Sequence, residues 1–202
     1  SSDDCGNYVH LVTLDAHDIC GNITTHEFTI TVLDTQAPNW DQSIPFDATV
    51  ECDAVPVAAV ITATDNCDAL SNVDFNEIIT STDCEAAYTI TRTWSVEDCS
   101  GNGAFAMQTI SVVDTQAPEF VEDLPADLTV ECDAVPDADV LTAVDNCDAM
   151  PGVSMMEEIS NELCTGSYTL TRTWTAEDCV GNTQVHSQVI TVQDTTSPTR
   201  DS

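Results

Sequence analysis

Apolar and polar residues alternate along the stretch from 88 to 97. Tyr88, Ile90, Trp94 and Val96 share one set of alternate positions, whereas threonine or serine occupies positions 89, 91, 93 and 95. This period of two is typical of a half-buried β-strand. The turn-forming run 97–102 follows, and a second strand is predicted to continue to Asp114. The sequence therefore predicts a β-hairpin.

The same pattern returns after about 80 residues, and this repeat is the main feature of the sequence. Four runs recur at this spacing: 34–38 at 114–118 and, more weakly, at 194–198; 49–56 at 129–136; 65–69 at 145–149; and 88–94 at 168–174. A fixed period is typical of an array of like domains. We therefore expect the C-terminal part of one repeat at 1–34, complete repeats at 35–114 and 115–194, and a linker with the start of the next repeat at 195–202.

Further strands are predicted near 47–52, 57–64 and 72–79, and no window has a convincing helical period. Several short strands and turns within one repeat favour a small sandwich. The predicted fold class is all-β, in the form of tandem immunoglobulin-like β-sandwich repeats of about 80 residues each.

Two arginines, Arg92 and Arg172, interrupt the apolar face of their strands. A buried arginine would need a carboxylate partner. We expect instead that each arginine packs its stem on the neighbouring tryptophan and that its charged head reaches the rim of the domain.

The composition is strongly acidic. Aspartate and glutamate number 36 against three arginines, no lysine is present, and the formal net charge is −33. Such a surface repels nucleic acid and anionic lipid, and it favours divalent cations. No apolar stretch is long enough to span a membrane, so we expect no membrane insertion. No nucleophile elbow and no glycine-rich phosphate loop is present in the sequence, so we expect no enzyme activity.

Ten cysteines recur at fixed positions of the repeat, which is typical of a disulfide framework in an oxidising compartment. The sequence contains no CxxC pair, which disfavours zinc. Cys84 and Cys99 flank a predicted strand that is too long for them to bond directly, and so do Cys52 and Cys67. We therefore predict four bonds, each closing a loop of about 32 residues: Cys52–Cys84, Cys67–Cys99, Cys132–Cys164 and Cys147–Cys179.

The first two cysteines fit this scheme less well. Cys5 and Cys20 are both displaced by one position from their equivalents in the following repeat. A joint displacement is what a direct Cys5–Cys20 bond would produce, whereas the predicted scheme places their partners outside this chain. Both alternatives stay open.

Four runs carry a resemblance to known proteins: 65–68 (DNCD), 88–94 (YTITRTW), 97–102 (EDCSGN) and 114–118 (DTQAP). They resemble the HYR-type repeats of bacterial surface proteins, and above all the cysteine-containing repeats of large Bacteroidota adhesins, including gliding-motility adhesins. The resemblance implies a very long secreted parent chain, exported by the type IX system, with immunoglobulin-like units of this kind as its stalk.

The acidic turns are candidate ligands for calcium, which takes about six to eight oxygen ligands. In a sandwich, the hairpin turn, the loop near 65–68 and the incoming linker would meet at one end of the domain, where an ion would stiffen the junction. The alternative is structural, because Asp and Asn are favoured in turns, where they bond to nearby backbone. The candidate residues form two sets: Asp34, Asp65, Asp68, Glu97, Asp98 and Asn102; and Asp114, Asp145, Asp148, Glu177, Asp178 and Asn182.

Together these features favour a structural stalk of a long extracellular adhesin or surface filament at the cell surface, whose first partners are the neighbouring repeats of the same chain. One alternative is a carbohydrate- or protein-binding module, although aromatic residues make up only 5% and Trp40 is the one exposed candidate. Another is a repeat that self-associates into an extracellular fibre. These alternatives predict surface polysaccharide, other cells or like filaments as partners.

Overall fold

The structure, a computed structural model, describes residues 5–67, 72–81, 84–164 and 166–197. These residues contain one short 3-10 helix, Cys52–Ala54, and no α-helix. Within the same ranges, no helix has the length and apolarity needed to cross a membrane. The strands in chain order are β1 (Tyr8–His17), β2 (Ile23–Val32), β3 (Asn39–Trp40), β4 (Ala48–Glu51), β5 (Ala63–Thr64), β6 (Asp74–Ser81), β7 (Tyr88–Glu97), β8 (Gly103–Val113), β9 (Glu119–Phe120), β10 (Leu128–Glu131), β11 (Ala143–Val144), β12 (Gly152–Cys164), β13 (Ser167–Glu177) and β14 (Thr183–Gln193).

Each complete repeat forms one four-stranded sheet and one two-stranded sheet. In the second repeat the long sheet has the order β10-β14-β13-β12, with β10 parallel to β14 and the other pairs antiparallel. The first repeat has the matching order β4-β8-β7-β6. The short sheets pair β3 with β5 and β9 with β11, and β1 and β2 form an antiparallel hairpin. The predicted fold class, all-β with tandem β-sandwich repeats, is confirmed.

The chain divides into two compact units whose limits differ from those of the repeat. Unit 1 comprises Ser1–Ala48, Pro56–Thr80 and Thr89–Ile110, and unit 2 comprises Thr49–Val55, Ser81–Tyr88 and Ser111–Ser202. Two segments of the first repeat, 49–55 and 81–88, therefore belong to the same unit as the second repeat.

The central strands have the predicted alternation. In β7, every second residue from Ile90 to Val96 is buried, Arg92 included, whereas the residues between them are exposed or half-buried. In β13 the equivalent strand buries Leu170, which packs with Ile190 and Val192 of β14. Burial of each such aliphatic side chain stabilises the fold by about 1.5–3 kcal/mol. The core of each repeat therefore lies on the inner face of its four-stranded sheet.

The expectation that Arg92 and Arg172 reach the rim is wrong, because both are buried. The Nε atom of Arg92 lies 2.7 Å from Oε2 of Glu77, and that of Arg172 lies 2.8 Å from Oε1 of Glu157. Each glutamate lies on the neighbouring strand, where the register places Glu157 directly opposite Arg172. A carboxylate is thus within reach, and the charged group need not extend to solvent.

The strand predicted near 57–64 is reduced to the two residues of β5. Carbonyl groups in this segment and immediately before it instead accept hydrogen bonds from side chains of β7. Arg92 donates to the Pro56 carbonyl at 2.8 Å, and the Trp94 indole donates to the Ala59 carbonyl at 3.2 Å. Side-chain donors therefore take the place of strand pairing for these carbonyls. The alternation of apolar and polar residues does not reveal this arrangement.

Candidate metal centre

The turn after β13 holds Asp178 in a fixed orientation. Its Oδ1 atom accepts the backbone N–H groups of residues 180–182 at 2.7–2.9 Å, and its Oδ2 atom accepts the Asn182 amide at 2.7 Å. Gly181 adopts φ +98°, a left-handed conformation that the turn requires and that glycine adopts without strain. Burial alone would raise the pKa of Asp178, but the hydrogen bonds from the turn outweigh it and lower the pKa below the ordinary 3.8.

Asp145 closes the loop that follows β11. Its Oδ1 atom accepts the backbone N–H groups of Cys147 and Asp148 at 2.8 and 2.9 Å. Its Oδ2 atom is buried and has no hydrogen-bond partner in the described part of the chain. A buried carboxylate oxygen without a partner is costly, so a bound cation is the expected counterpart.

Asp114 follows the last residue of β8 and is only 5% exposed. Its Oδ1 atom accepts the Gln116 N–H at 3.1 Å, and its backbone carbonyl accepts the Asn182 amide at 3.3 Å. Its Oδ2 atom, like that of Asp145, is buried and without a partner among the described residues.

These three carboxylates converge. One oxygen atom each from Asp114, Asp145 and Asp178 lies within 4.8 Å of the other two. The arginines that the structure describes are paired elsewhere, Arg92 with Glu77 and Arg172 with Glu157. Burial raises the pKa of Asp114 above its ordinary 3.8, and the charges of Asp145, Asp178 and Glu51 raise it further. The cluster therefore concentrates negative charge that no described basic side chain neutralises.

Glu51 is a neighbour of this cluster that sequence reasoning missed. It forms a second group of close ligand atoms with Asp114 and Cys147, but Cys147 is disulfide-bonded and offers no thiolate. Glu51 also accepts hydrogen bonds from the backbone and hydroxyl of Thr115, at 3.2 and 2.6 Å. It ends strand β4, and only the strand pairing places it beside the linker, so no turn signal could have identified it.

The equivalent residues of the preceding junction form a smaller group. Asp34 is buried, and ligand atoms of Asp34, Asp65 and Cys67 lie within 4.8 Å of one another. Asp98 repeats the turn role of Asp178, since it accepts the N–H groups of Ser100 and Asn102 and the Asn102 amide at 2.8–2.9 Å. Asp68 lies outside the described residues.

The remaining predicted ligands take other roles. Glu97 and Glu177 are exposed, and neither belongs to a group of close ligand atoms among the described residues. Asp148 accepts the N–H groups of Met150 and Cys179 at 2.9 and 2.8 Å. Asn102 and Asn182 use their amide groups as donors within the turns. For Asp148, Asn102 and Asn182 the hydrogen bonds support the structural explanation of polar residues in turns.

The cysteines pair across the repeats. Among the described residues the structure places three disulfides, Cys5–Cys99, Cys52–Cys147 and Cys84–Cys179, with Cα–Cα distances of 5.3, 5.8 and 5.5 Å. The predicted bonds Cys52–Cys84, Cys67–Cys99 and Cys147–Cys179 are therefore wrong, and so is the alternative bond Cys5–Cys20. The side chain of Cys164 is not described, and the partner predicted for it, Cys132, has an exposed thiol.

The predicted pairing failed because the bonds join successive repeats of the array. The prediction considered partners within one repeat only, whereas each bond joins cysteines 94 or 95 positions apart, more than one period of 80. The one-residue displacement of Cys5 is consistent with this pairing, because its bond spans 94 positions and the other two span 95. A signal was thus present in the sequence, but it could be used only by comparing successive repeats.

Comparison with known proteins identifies the repeat. Residues 40–112 and 120–192 each match the family described as "HYR-like domain with 4 cysteines". The two stretches make up more than half of the chain, and the chain belongs to this family. No curated protein matches the chain.

Solved structures to which this chain is similar include extracellular cadherin domains. Domains EC1-3 of mouse clustered PcdhgC3 are 12% identical, with 95% of this chain and 79% of that chain covered and a TM-score of 0.34. EC1-3 of mouse Protocadherin-24 is 16% identical, with 92% and 80% covered and a TM-score of 0.35. EC1-4 of Drosophila N-cadherin is 11% identical, with 95% and 60% covered and a TM-score of 0.28. At identities of 11–16% and TM-scores of 0.28–0.35, this likeness says nothing of the role of this chain.

Proposed function

We propose that this chain is part of the stalk of a long extracellular adhesin or surface filament, with repeats that disulfides join and calcium stiffens. The observation that carries the proposal is the buried carboxylate cluster of unit 2. It brings Asp114, which ends the first repeat, together with Asp145 and Asp178 of the second. An ion bound there would tie the end of one repeat to the loops of the next.

Charge gives the physical reason for a cation at this cluster. The ligand atoms lie within 4.8 Å of one another, and at that outer limit two carboxylate charges repel each other by about 3 kcal/mol at an effective dielectric constant of about 20. Three such pairs are present, and two of the oxygens lack hydrogen-bond donors among the described residues. A divalent cation would remove the repulsion and satisfy both oxygens.

The donor set favours calcium. The available ligands are the Oδ2 atoms of Asp114 and Asp145 and an oxygen of Asp178, with Glu51 beside them. All are hard oxygen donors, since Cys147 is engaged in a disulfide. Backbone carbonyls and water would complete the coordination of about six to eight oxygens.

The disulfides and the acidic surface support an extracellular stalk. Disulfides persist in oxidising environments, and the net charge of −33 opposes binding to nucleic acid or anionic lipid. The parent protein proposed from the sequence resemblance is a Bacteroidota surface adhesin of the gliding-motility type. Its contacts with polysaccharide or other cells would then be made elsewhere, and the repeats of this chain would serve as a spacer rather than as an enzyme.

Calcium titration of the non-reduced chain tests the ion. We expect the unfolding temperature to rise with calcium, since binding to the folded state stabilises by about 2.7 kcal/mol when the ion is present at 100 times its Kd. Asp114→Asn should remove one equivalent of bound calcium, measured by isothermal titration calorimetry, together with the part of the thermal shift that comes from this site.

The matched control is Glu177→Gln, which removes one negative charge from an exposed residue of the same hairpin outside the cluster. This variant should keep the calcium stoichiometry and thermal shift of the unmodified chain. If both variants lose the same amount of calcium binding, the effect is one of general charge, and the site is wrong. If calcium does not change the unfolding temperature of the unmodified chain, the acidic residues form a solvated surface and calcium does not stiffen the stalk.

A side-by-side fibre is a second candidate, favoured by one strand. Strand β12 lies at one end of its sheet and exposes Met155, Met156 and Ile159 at 45%, 64% and 61%. Sheet edges with apolar side chains tend to pair with other chains. Sedimentation at high ionic strength, where charge repulsion is screened, should show association that Met156→Lys abolishes. A chain that stays monomeric at every salt concentration would exclude this candidate.

A further inference from the structure

We propose that the crossed disulfides remove most of the chain from the path that carries tension, so that the stalk is a tether that cannot be extended. This inference rests on the proposed stalk function, because only a stalk is pulled from both ends. It concerns the connectivity of the bonds and not the calcium cluster.

All three bonds follow one rule of spacing. Cys5–Cys99 and Cys84–Cys179 each join the third cysteine of one repeat to the fourth cysteine of the next. Cys52–Cys147 joins the first cysteine of one repeat to the second of the next. The separations of 94, 95 and 95 positions agree with a single repeating arrangement.

The resulting loops interlock along the chain. The loop that begins at Cys84 opens before the loop that begins at Cys5 has closed at Cys99. The shortest covalent route from Cys5 to Cys179 therefore crosses to Cys99, runs back along the chain to Cys84 and crosses to Cys179. Tension applied at the two ends follows this route, and segments 6–83 and 100–178 carry none of it.

The one protein segment on this route is already extended. Segment 84–99 contains strand β7 (Tyr88–Glu97), which lies between β6 and β8 in its sheet. An extended residue contributes about 3.3 Å, so a ten-residue strand already spans about 33 Å. Pulling on Cys84 and Cys99 can therefore gain little length, even when the sheet around β7 breaks.

The second bond of each junction has a different role. Cys52–Cys147 lies off the shortest route, so its loss leaves the route unchanged. Loss of Cys84–Cys179 lengthens the route to about 80 residues, or about 270 Å of extended chain, whether it passes through Cys5–Cys99 or through Cys52–Cys147. The two bonds enclose loops of equal length, so they form a matched pair for experiment.

Single-molecule force extension of the 202-residue chain tests this inference, with handles attached to both termini through peptide tags rather than thiols. At full extension, the covalent path between Cys5 and Cys179 should measure about 50 Å in the non-reduced chain, whereas it should measure about 600 Å in the reduced chain. Cys84→Ser with Cys179→Ser should add about 220 Å to the non-reduced extension. Cys52→Ser with Cys147→Ser should add nothing.

Equal extension of the two double variants would overturn the proposed path, and so would a non-reduced chain that extends as far as the reduced one. Each variant loses two cysteines and one bond, and far-UV circular dichroism should show that both keep the β content of the unmodified chain. The proposed stalk function fails in a different way. If the reduced chain shows no unfolding steps of the length of one repeat, folded repeats in series are contradicted. If the reduced chain shows those steps but the non-reduced chain extends further than expected, only the disulfide path is contradicted.

Discussion

At the residue scale, the environment of Asp114 is unusual because its burial and its neighbours act in the same direction. Its side chain is 5% exposed, one of its oxygens has no partner among the described residues, and Asp145, Asp178 and Glu51 add negative charge around it. In the absence of a cation, a proton on Asp114 is the remaining way to reduce that charge.

The raised pKa of Asp114 predicts a particular pH dependence of stability without metal. The folded state binds this proton at a higher pH than the unfolded state, whose value is 3.8. The contribution of Asp114 to stability is therefore complete below 3.8 and is lost as the pH rises through the folded pKa. Metal-free Asp114→Asn should consequently be more stable than the unmodified chain at pH 7, and the difference should shrink as the pH falls toward 3.8.

Urea unfolding of the metal-free proteins between pH 7 and 4 measures this difference. Asp98 and Asp178 have pKa values lowered by their turn hydrogen bonds, so their stabilisation is present above 3.8 and decreases only below it. Both residues stay ionised between pH 7 and 4, so neither makes the difference between the two proteins change with pH. A difference that does not change with pH would show that Asp114 is not the group that titrates.

The sequence predicted the three aspartates of the cluster, because each belongs to a recurring turn or linker run. It did not predict which of the twelve candidates converge. Asp148 and Asp178 both follow turn chemistry, yet only Asp178 has an oxygen close to the other two carboxylates. That distinction depends on how the loops lie against Asp114, and the spacing of the candidate residues along the sequence does not reveal it.

At the scale of the elements, β7 and β13 do more than fill the core. Arg172 donates to the carbonyls of Pro136 and Asp137 at 2.7 and 3.2 Å, and the Trp174 indole donates to the Asp139 carbonyl at 3.0 Å. The segment that precedes β11 is thus held to β13 by side chains where strand pairing is absent from its described residues.

Substitution of the two partners of the ion pair separates these contributions. Arg172→Met should destabilise unit 2 by about 3–5 kcal/mol, because buried carbonyls lose their donors and a buried pair is broken. Glu157→Gln should cost less, about 1–2 kcal/mol, since it leaves the buried Arg172 without a counter-charge but the Glu157 position is 44% exposed and glutamine still offers an acceptor. Denaturant unfolding with a common m-value measures both. Equal costs would show that the ion pair, and not the carbonyl bonds, is the main contribution.

The strands themselves were predictable to different degrees. The alternation at 88–97 predicted β7 with its bounds, because one face of this strand is buried and the other is not. The stretch 57–64 has the apolar content of a strand but forms only β5 at its end. The Ala59 carbonyl within it accepts from Trp94, and the Pro56 carbonyl just before it accepts from Arg92. Hydrogen bonds from side chains, unlike strand pairing, leave no periodic pattern in the sequence.

At the scale of the whole molecule, the period of the repeat was visible in the sequence, but the disulfide connections were not. Four cysteines per repeat allow three pairings within a repeat, and many more when partners in the next repeat are included. The strand-length criterion correctly excluded Cys84–Cys99 and Cys52–Cys67. It could not choose between a partner in the same repeat and one in the following repeat, since both lie far away in sequence.

Cleavage at methionine distinguishes the two connectivities in the unmodified chain. The methionines are Met107, Met150, Met155 and Met156, so cyanogen bromide yields the main fragments 1–107, 108–150 and 157–202. In the structure, Cys52–Cys147 and Cys84–Cys179 join fragment 1–107 to each of the other two. All three should therefore remain one covalent species until a reductant is added.

Pairing within each repeat predicts a different digest of the same non-reduced chain. Cys52–Cys84 and Cys67–Cys99 would both lie inside fragment 1–107, which would then separate from the other two before reduction. The acid used for cleavage keeps thiols protonated, and disulfide exchange needs the thiolate, so the original bonds persist through the digest. Mass spectrometry of the non-reduced digest should show no free fragment 1–107. Its appearance would overturn the crossed bonds and the tension path built on them, while the sandwich fold and the carboxylate cluster would stand.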